Sequence, residues 1–437
     1  MNERETFSSK LGFVLSCIGS AIGLGNIWMF PWRLGTYGGA AFLIPYLIFV
    51  FILGSTGLME EFALGRSRKK GSFGAIKDIL AEKKLPFSSI TASIPTLGVT
   101  GIFLFYPIVI GWVLKYFLLS VKGDFSNINI SSYFNNFAGT QSSILWHGLA
   151  ISITLVILLL GVINGIEKLN KFAMPTLFIL FIILMIRSLT LPGAMNGVKY
   201  LLVPNWSYLL QPKTWIMALG QAFFTVSLNG AGMVVYGSYL SDNEDIPSSA
   251  VNTVIFDTVA ALLAAFIIIP AAFAFGLNPS AGPSLLFITI PSIFKAMPGG
   301  YIFGVLFFFS IILASISSAI NMLEAPVEAI MGKFKIKRIL SVLIVTSVCF
   351  IISIPLDLSM KTFGTVADFI TIYITPIGAV LSAISFFWIY GIDNALKQIN
   401  IGAKKPLGKY FKFFAKYVFT TIAILIVIFG IVYGGIG

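Results

Sequence analysis

Residues 19–26 read Gly19-Ser20-Ala21-Ile22-Gly23-Leu24-Gly25-Asn26, in the middle of an apolar segment running from about Leu11 to Leu34. A helix crossing a bilayer needs roughly 20 apolar residues and hydrogen-bonds its own backbone throughout. Three glycines within seven residues weaken that helix at the depth where an unpaired amide is most unfavourable. Backbone released there has to be buried in protein or line a cavity holding something that pairs with it. Carbonyls ending a first half-helix can hold a cation, and amides starting a second can hold a carboxylate. On this stretch alone, a glycine stripe for close helix packing is an equal reading.

The rest of the chain supplies the setting. Of 437 residues, 57% are hydrophobic and 11% charged, and the mean hydropathy is +0.94. This composition excludes a soluble globular protein and predicts an all-α polytopic membrane protein, a single transmembrane domain over 1–437. Eleven spans are expected, at about 11–35, 39–65, 94–120, 143–163, 172–190, 214–240, 248–276, 300–330, 339–356, 364–390 and 413–434. With the N-terminus placed in the cytoplasm, 21 of the 29 Lys and Arg fall in cytoplasmic segments and the C-terminus lies outside. That distribution explains the net charge of +12 without nucleic acid and fits a multi-pass protein of the plasma membrane, a bacterial inner membrane. The polar start, with no small-residue cleavage site after it, predicts no removed signal peptide. Cys17 and Cys349 sit in apolar segments and read as buried thiols. His147 opens a span, and no metal-ligand cluster or nucleophile–base pair is evident, so neither an enzyme nor an organic cofactor is expected.

The sixth span repeats the peculiarity of the first. Between Trp215 and Tyr239 it is interrupted at mid-depth by Ser227-Leu228-Asn229-Gly230-Ala231-Gly232. Spans one and six thus hold corresponding places in two five-helix units, 11–190 and 214–390, with 413–434 left as an additional helix. An odd number of spans per unit forces opposite orientation, so the units are expected to be inverted repeats. Paired broken helices in such repeats point to a transport site at the membrane midplane.

Polar residues inside the spans sharpen this. Asp257 lies deep in the seventh span, where a cation partner is expected. Glu61 either snorkels to the cytoplasmic side or caps amides freed by the breaks. Ser315, Ser317 and Ser318 are less specific, because hydroxyls back-bonding to the preceding turn are routine in membrane helices. Glu324 and Glu328, one turn apart, are read as solvated near the cytoplasmic end, and Asp368 as facing water or closing a gate. Oxygen ligands without clustered carboxylates suit sodium better than calcium, zinc or copper.

The chain resembles the neurotransmitter:sodium symporter family from Arg4 to about Asp393, and most closely its bacterial eleven-helix branch, which includes transporters of tyrosine and other hydrophobic amino acids. The resemblance is carried by Gly19 to Trp32 (GSAIGLGNIWMFPW), Tyr37 to Pro45 (YGGAAFLIP) and Glu61 to Arg66 (EFALGR). Gly220 to Tyr239 (GQAFFTVSLNGAGMVVYGSY) and Leu313 to Pro326 (LASISSAINMLEAP) complete it. It implies the leucine-transporter fold, two inverted five-helix repeats with helices 1 and 6 unwound around a substrate and two sodium ions. One sodium would meet the Ala21 carbonyl, Asn26, Thr225, Asp257 and the substrate carboxylate. The other would meet the carbonyls of Gly19, Ile22 and Ala314 with the hydroxyls of Ser317 and Ser318. The substrate carboxylate would reach the Leu24 and Gly25 amides and the Tyr106 hydroxyl, and its amine the carbonyls of Ala21, Phe224 and Thr225, with Ser227 nearby. Ile102, Phe224, Ser318 and Met322 would line the side-chain pocket, Gly230 leaving it roomy. Glu61 matches a buried glutamate that steadies the unwound segments, and Gln221 falls among the supporting residues.

The departures from the family are as informative. Met29 replaces the arginine of the usual outer gate, and Arg33, one turn on, is expected to pair with Asp368 instead. Arg4 matches the N-terminal arginine of the inner gate, but the aspartate expected on helix eight falls near Met331-Gly332, leaving Glu328 as the nearest acid. The resulting expectation is sodium-coupled inward symport of a large hydrophobic or aromatic amino acid by alternating access. It should be chloride-independent, because Asp257 supplies a fixed negative charge. A proton-coupled or exchange-type carrier, or a non-transporting membrane protein of the same fold, is the alternative.

Overall fold

The computed structural model describes residues 5–277, 282 and 285–436. Its helices break where the sequence loosens. α1 (Lys10–Ala21) begins at Ser9, whose side chain accepts from the Gly12 amide as an N-cap. It ends at Ile22, whose backbone turns extended at φ −70° and ψ 112°. α2 (Gly25–Thr36) resumes the crossing after a 51° bend. The first half then runs through α3 (Ala40–Arg68), the short α4 (Ser72–Glu82), α5 (Ser88–Lys122), the loop helix α6 (Ile130–Phe137), α7 (Gln141–Leu159) and α8 (Val162–Leu189).

After α9 (Ala194–Leu202), the sixth crossing is again divided, into α10 (Pro212–Thr225) and α11 (Gly232–Ser238), with residues 226–231 non-helical between them. α12 (Ile246–Ala274), α13 (Leu285–Ala296) and α14 (Gly300–Phe334) follow. The last elements are α15 (Arg338–Asp357), α16 (Met360–Ile389), the short α17 (Ile392–Asn400) and α18 (Lys409–Tyr433). Among the described residues, nine continuous helices are long and apolar enough to cross a membrane, and the bent α1–α2 pair makes a tenth. The divided α10–α11 pair holds the place of the expected sixth span.

Side-chain distribution separates a shielded centre from an apolar rim. α5 and α12 are largely buried, whereas α7, α8 and α18 turn residues such as Leu149, Ile182 and Ile428 outward. An outward apolar face of this kind suits hydrocarbon. Within the centre α5 lies along α14, and α3 lies along α11.

The α3–α11 contact is made by glycine. A Cβ on Gly65 would stand 1.9 Å from the Val234 carbonyl oxygen, and one on Gly237 would stand 2.4 Å from that of Phe62. This close approach brings Glu61 against the start of α11. Gly65→Val is therefore expected to destabilise the protein by about 1–3 kcal/mol, the usual effect of overpacking. Thermal melting in detergent checks it, and an unchanged melting temperature would show that the two helices can separate freely.

Elsewhere, α7 and α15 are joined by a fully buried polar group. His147 Nδ1 lies 2.6 Å from Asp357 Oδ2, and Ser143 Oγ donates to Asp357 Oδ1 at 2.8 Å. A buried carboxylate is tolerable only with such partners. Cys17 and Cys349 are buried free thiols.

Candidate functional site

At the break between α1 and α2 the backbone turns to side chains for partners. The Gly23 amide donates to Asn26 Oδ1 at 3.0 Å, and the Leu24 amide to the Tyr106 hydroxyl of α5 at 3.2 Å. The Ser20 carbonyl accepts from Ser318 Oγ at 2.8 Å and from Ser227 Oγ at 3.2 Å. Ser318 Oγ also reaches the Ile22 carbonyl at 3.3 Å. The two interrupted helices therefore meet directly through Ser227, whose φ of 57° is left-handed.

The second break is closed more fully. Glu61 Oε1 accepts from the amides of Asn229 at 3.0 Å and Gly230 at 2.8 Å. Asn229 Oδ1 accepts from those of Ala231 and Gly232, both at 2.9 Å, and so holds the two amides that lead into α11. Ser72 donates to the Gly230 carbonyl at 2.5 Å and Asn321 to that of Gly232 at 3.0 Å. Asn229 was missed in the sequence, although an Asn just ahead of a helical run is a cap signal.

Asn26, Thr225 and Asp257 come together from α2, α10 and α12, each almost wholly buried. Asn26 Nδ2 lies 2.7 Å from Asp257 Oδ1 and 3.0 Å from Thr225 Oγ1, and Thr225 Oγ1 donates to Asp257 Oδ2 at 3.0 Å. All these partners of Asp257 are neutral. A carboxylate so placed is strongly unfavourable in an apolar interior unless a cation joins it. The donor set, one carboxylate with amide, hydroxyl and backbone oxygens, suits a hard cation.

A second oxygen cluster lies where α14 passes the end of α1. A Cβ built on Gly19 would fall 2.2 Å from Ser317 Oγ, so that hydroxyl stands against the α1 backbone. Ser318 and Ala314 lie one turn apart on the same buried part of α14. Ser315 bonds back to the Ile311 carbonyl at 2.7 Å and takes no part.

Between the breaks is a cavity. Ala21, Gly23, Leu24 and Gly25 form one end and Phe224, Thr225 and Ser227 another, while Ile102, Tyr106, Ser318 and Met322 close the sides. Phe105, Leu228, Asn229 and Thr375, which sequence reasoning missed, also face it. Gly230 does not belong to the lining described. Its φ is +72°, and a Cβ there would stand 2.7 Å from the Gly378 carbonyl oxygen of α16. Its missing side chain makes room for a helix, which corrects the expectation that it enlarges the substrate pocket.

The gates also differ from expectation. Arg33, only 4% exposed, donates through Nη1 to Gln221 Oε1 at 3.2 Å and to the Ile436 carbonyl at 2.9 Å. Gln221 Nε2 donates in turn to the Gly25 carbonyl at 3.4 Å. Asp368 stands exposed on α16, so the expected Arg33–Asp368 pair is replaced by a link from α2 to α10 and to the segment that follows α18. Of the expected inner gate, Arg4 lies outside the described residues. Glu324 and Glu328 are buried rather than solvated. Glu324 binds Arg338 at 2.6 and 2.7 Å through both carboxylate oxygens and accepts from the Tyr239 hydroxyl at 2.5 Å. This bidentate pair ties α11, α14 and α15 together. Arg338 was counted only as a cytoplasmic charge, because its reach back along α14 depends on the turn at Lys335.

Two divided helices facing each other across a cavity within a membrane bundle define a secondary carrier of the broken-helix class. The chain belongs to the sodium:neurotransmitter symporter family, whose profile matches residues 4–144 and 128–434. It is thus a sodium-dependent multi-pass membrane transporter in a family of transporters, not enzymes, with the leucine-transporter fold. It is 35% identical to an uncharacterised sodium-dependent transporter of Bacillus subtilis, over 97% of this chain and 96% of that one. A Methanocaldococcus jannaschii sodium-dependent transporter is 34% identical over 94% of this chain and 87% of its own length. The sodium-dependent serotonin transporter of Drosophila melanogaster is 26% identical over 98% and 76%. Among solved structures, MhsT in complex with L-phenylalanine superposes with a TM-score of 0.87 at 33% identity, covering 98% of this chain and 99% of that one.

Proposed function

We propose that the protein moves a large hydrophobic or aromatic amino acid into the cell together with two sodium ions, by alternating access and without chloride. The observation that carries this is the convergence of two helix breaks, two oxygen clusters and one apolar-walled cavity. The cation sites would be those described around Asn26, Thr225 and Asp257, with the Ala21 carbonyl, and around Gly19, Ile22, Ala314, Ser317 and Ser318. A zwitterion loses its hydration on entry, and every charge then needs a partner. The Leu24 and Gly25 amides and Tyr106 would take the carboxylate, and the carbonyls of Ala21, Phe224 and Thr225 the amine. A sodium ion shared with the carboxylate makes the two bind together, and that coupling free energy is what drives uptake. Ile102, Phe105, Phe224 and Met322 favour a bulky apolar side chain, and the L-phenylalanine held by MhsT supports that class. We further propose that 11–190 and 214–390 are inverted repeats, that the N-terminus faces the cytoplasm of a bacterial inner membrane, and that the C-terminus faces out.

Uptake into proteoliposomes tests the proposal. With an inward sodium gradient, labelled phenylalanine or tyrosine should accumulate above equilibrium, and glycine or alanine should compete poorly. Substrate accumulation that persists without sodium and follows a proton gradient would favour a proton-coupled carrier, and preference for glycine would overturn the substrate class. Because Asp257 supplies a fixed negative charge beside the first cluster, replacing chloride by gluconate should leave uptake unchanged. Loss of uptake in gluconate would remove that role from Asp257.

A further inference from the structure

α14 contains its own comparison of what a serine does in a membrane helix. Ser310 and Ser315 bond back to the carbonyls four residues earlier, at 2.7 Å each. That is the default for a hydroxyl with nothing else to meet. Ser318 instead donates to the α1 carbonyls of Ser20 and Ile22. Ser317 departs in another way, donating to Asn170 Oδ1 on α8 in a short hydrogen bond.

Asn170 is fully buried. Its amide nitrogen donates to the Ile166 carbonyl one turn earlier at 2.9 Å, which fixes the side chain so that its oxygen faces away from its own helix. That oxygen and the Ser317 hydroxyl converge on one point of α1, since a Cβ on Gly19 would stand 2.1 Å from the first and 2.2 Å from the second. A hydroxyl that binds a cation offers its lone pairs and must send its proton elsewhere. Asn170 is the acceptor that takes it.

We propose that Asn170 is a positioning residue of the second sodium site: by accepting the Ser317 proton it turns the Ser317 oxygen toward the cation. This rests on the sodium site proposed around Ser317 and Ser318. The role also ties that site to α8, a helix with no part in the substrate cavity described above.

Sodium titration of the purified full-length protein, followed by thermal melting with choline as the balancing ion and no amino acid present, gives the test. In Asn170→Ala, the sodium needed for half-maximal stabilisation should rise about five- to tenfold, the effect of one buried hydrogen bond. Phenylalanine affinity at saturating sodium should stay within about twofold. Asn170→Asp keeps an acceptor and should restore or tighten sodium binding. Ser317→Ala should shift the titration like Asn170→Ala, and the double variant should shift it no further, because one acts through the other. Additive shifts, or a wild-type sodium midpoint in Asn170→Ala, would overturn the proposal. Absence of any sodium stabilisation in the wild type would overturn the sodium-site reading beneath it.

Discussion

Replacing Asp257 with alanine is expected to lower sodium-driven uptake by two orders of magnitude or more while leaving the protein in the membrane. Two buried groups from two other helices depend on this carboxylate, Asn26 and Thr225 holding its two oxygens at 2.7 and 3.0 Å. Removing it leaves the Asn26 amide and the Thr225 hydroxyl short of an acceptor and takes the only formal charge from that cluster. Breaking a buried charged contact typically costs about 3–5 kcal/mol, and each 1.4 kcal/mol is tenfold in a binding constant. The loss should appear as a weaker sodium dependence before it appears as a weaker maximum rate. Asp257→Asn separates charge from shape: it keeps the hydrogen-bonding oxygen and loses the charge, so its uptake should fall between the two. Wild-type sodium dependence in Asp257→Ala would mean that the cation binds elsewhere.

The second large effect concerns Glu61. One of its oxygens closes the break in the sixth crossing by accepting from the amides of Asn229 and Gly230. Glu61→Ala strands both donors in a water-poor interior, at about 1–3 kcal/mol each. Total stabilities of about 5–15 kcal/mol leave little margin for that. Little or no folded protein should be recovered by size-exclusion chromatography, and the remainder should melt markedly lower. Glu61→Gln retains an acceptor oxygen and should fold with a milder loss. Equal melting temperatures for wild type and Glu61→Ala would show that other groups satisfy the unwound segment.

Much of this design was legible in the residue order, for a physical reason. A membrane interior punishes unpaired backbone, so glycine clusters at 19–25 and 227–232 announce breaks without any structure. Asp257 and Glu61 stood out by the same logic, as ionisable groups with no water to solvate them. What stayed hidden depends on helix rotation and tail placement, which apolar composition does not encode. Gly230 shows this: its identity signals close approach, but only the fold reveals that Gly378 and Ser382, not substrate, fill the space. Arg33 likewise, one turn on from the usual gate position at Met29, was expected to pair with Asp368 on α16, and is held by Gln221 and the Ile436 carbonyl instead. Asn170 carried no signal at all, since an asparagine near the end of a span is unremarked until Ser317 is seen against it.

Reciprocal binding linkage offers the most direct check that the two breaks hold sodium and an amino acid side by side. Labelled phenylalanine binding would be measured against sodium, and labelled sodium binding against phenylalanine, on the same purified protein. Thermodynamic reciprocity requires one factor in both directions. The expected result is an increase of about tenfold or more in each affinity, of equal size, abolished in Asp257→Ala. Phenylalanine binding that is unchanged when choline replaces sodium would contradict it.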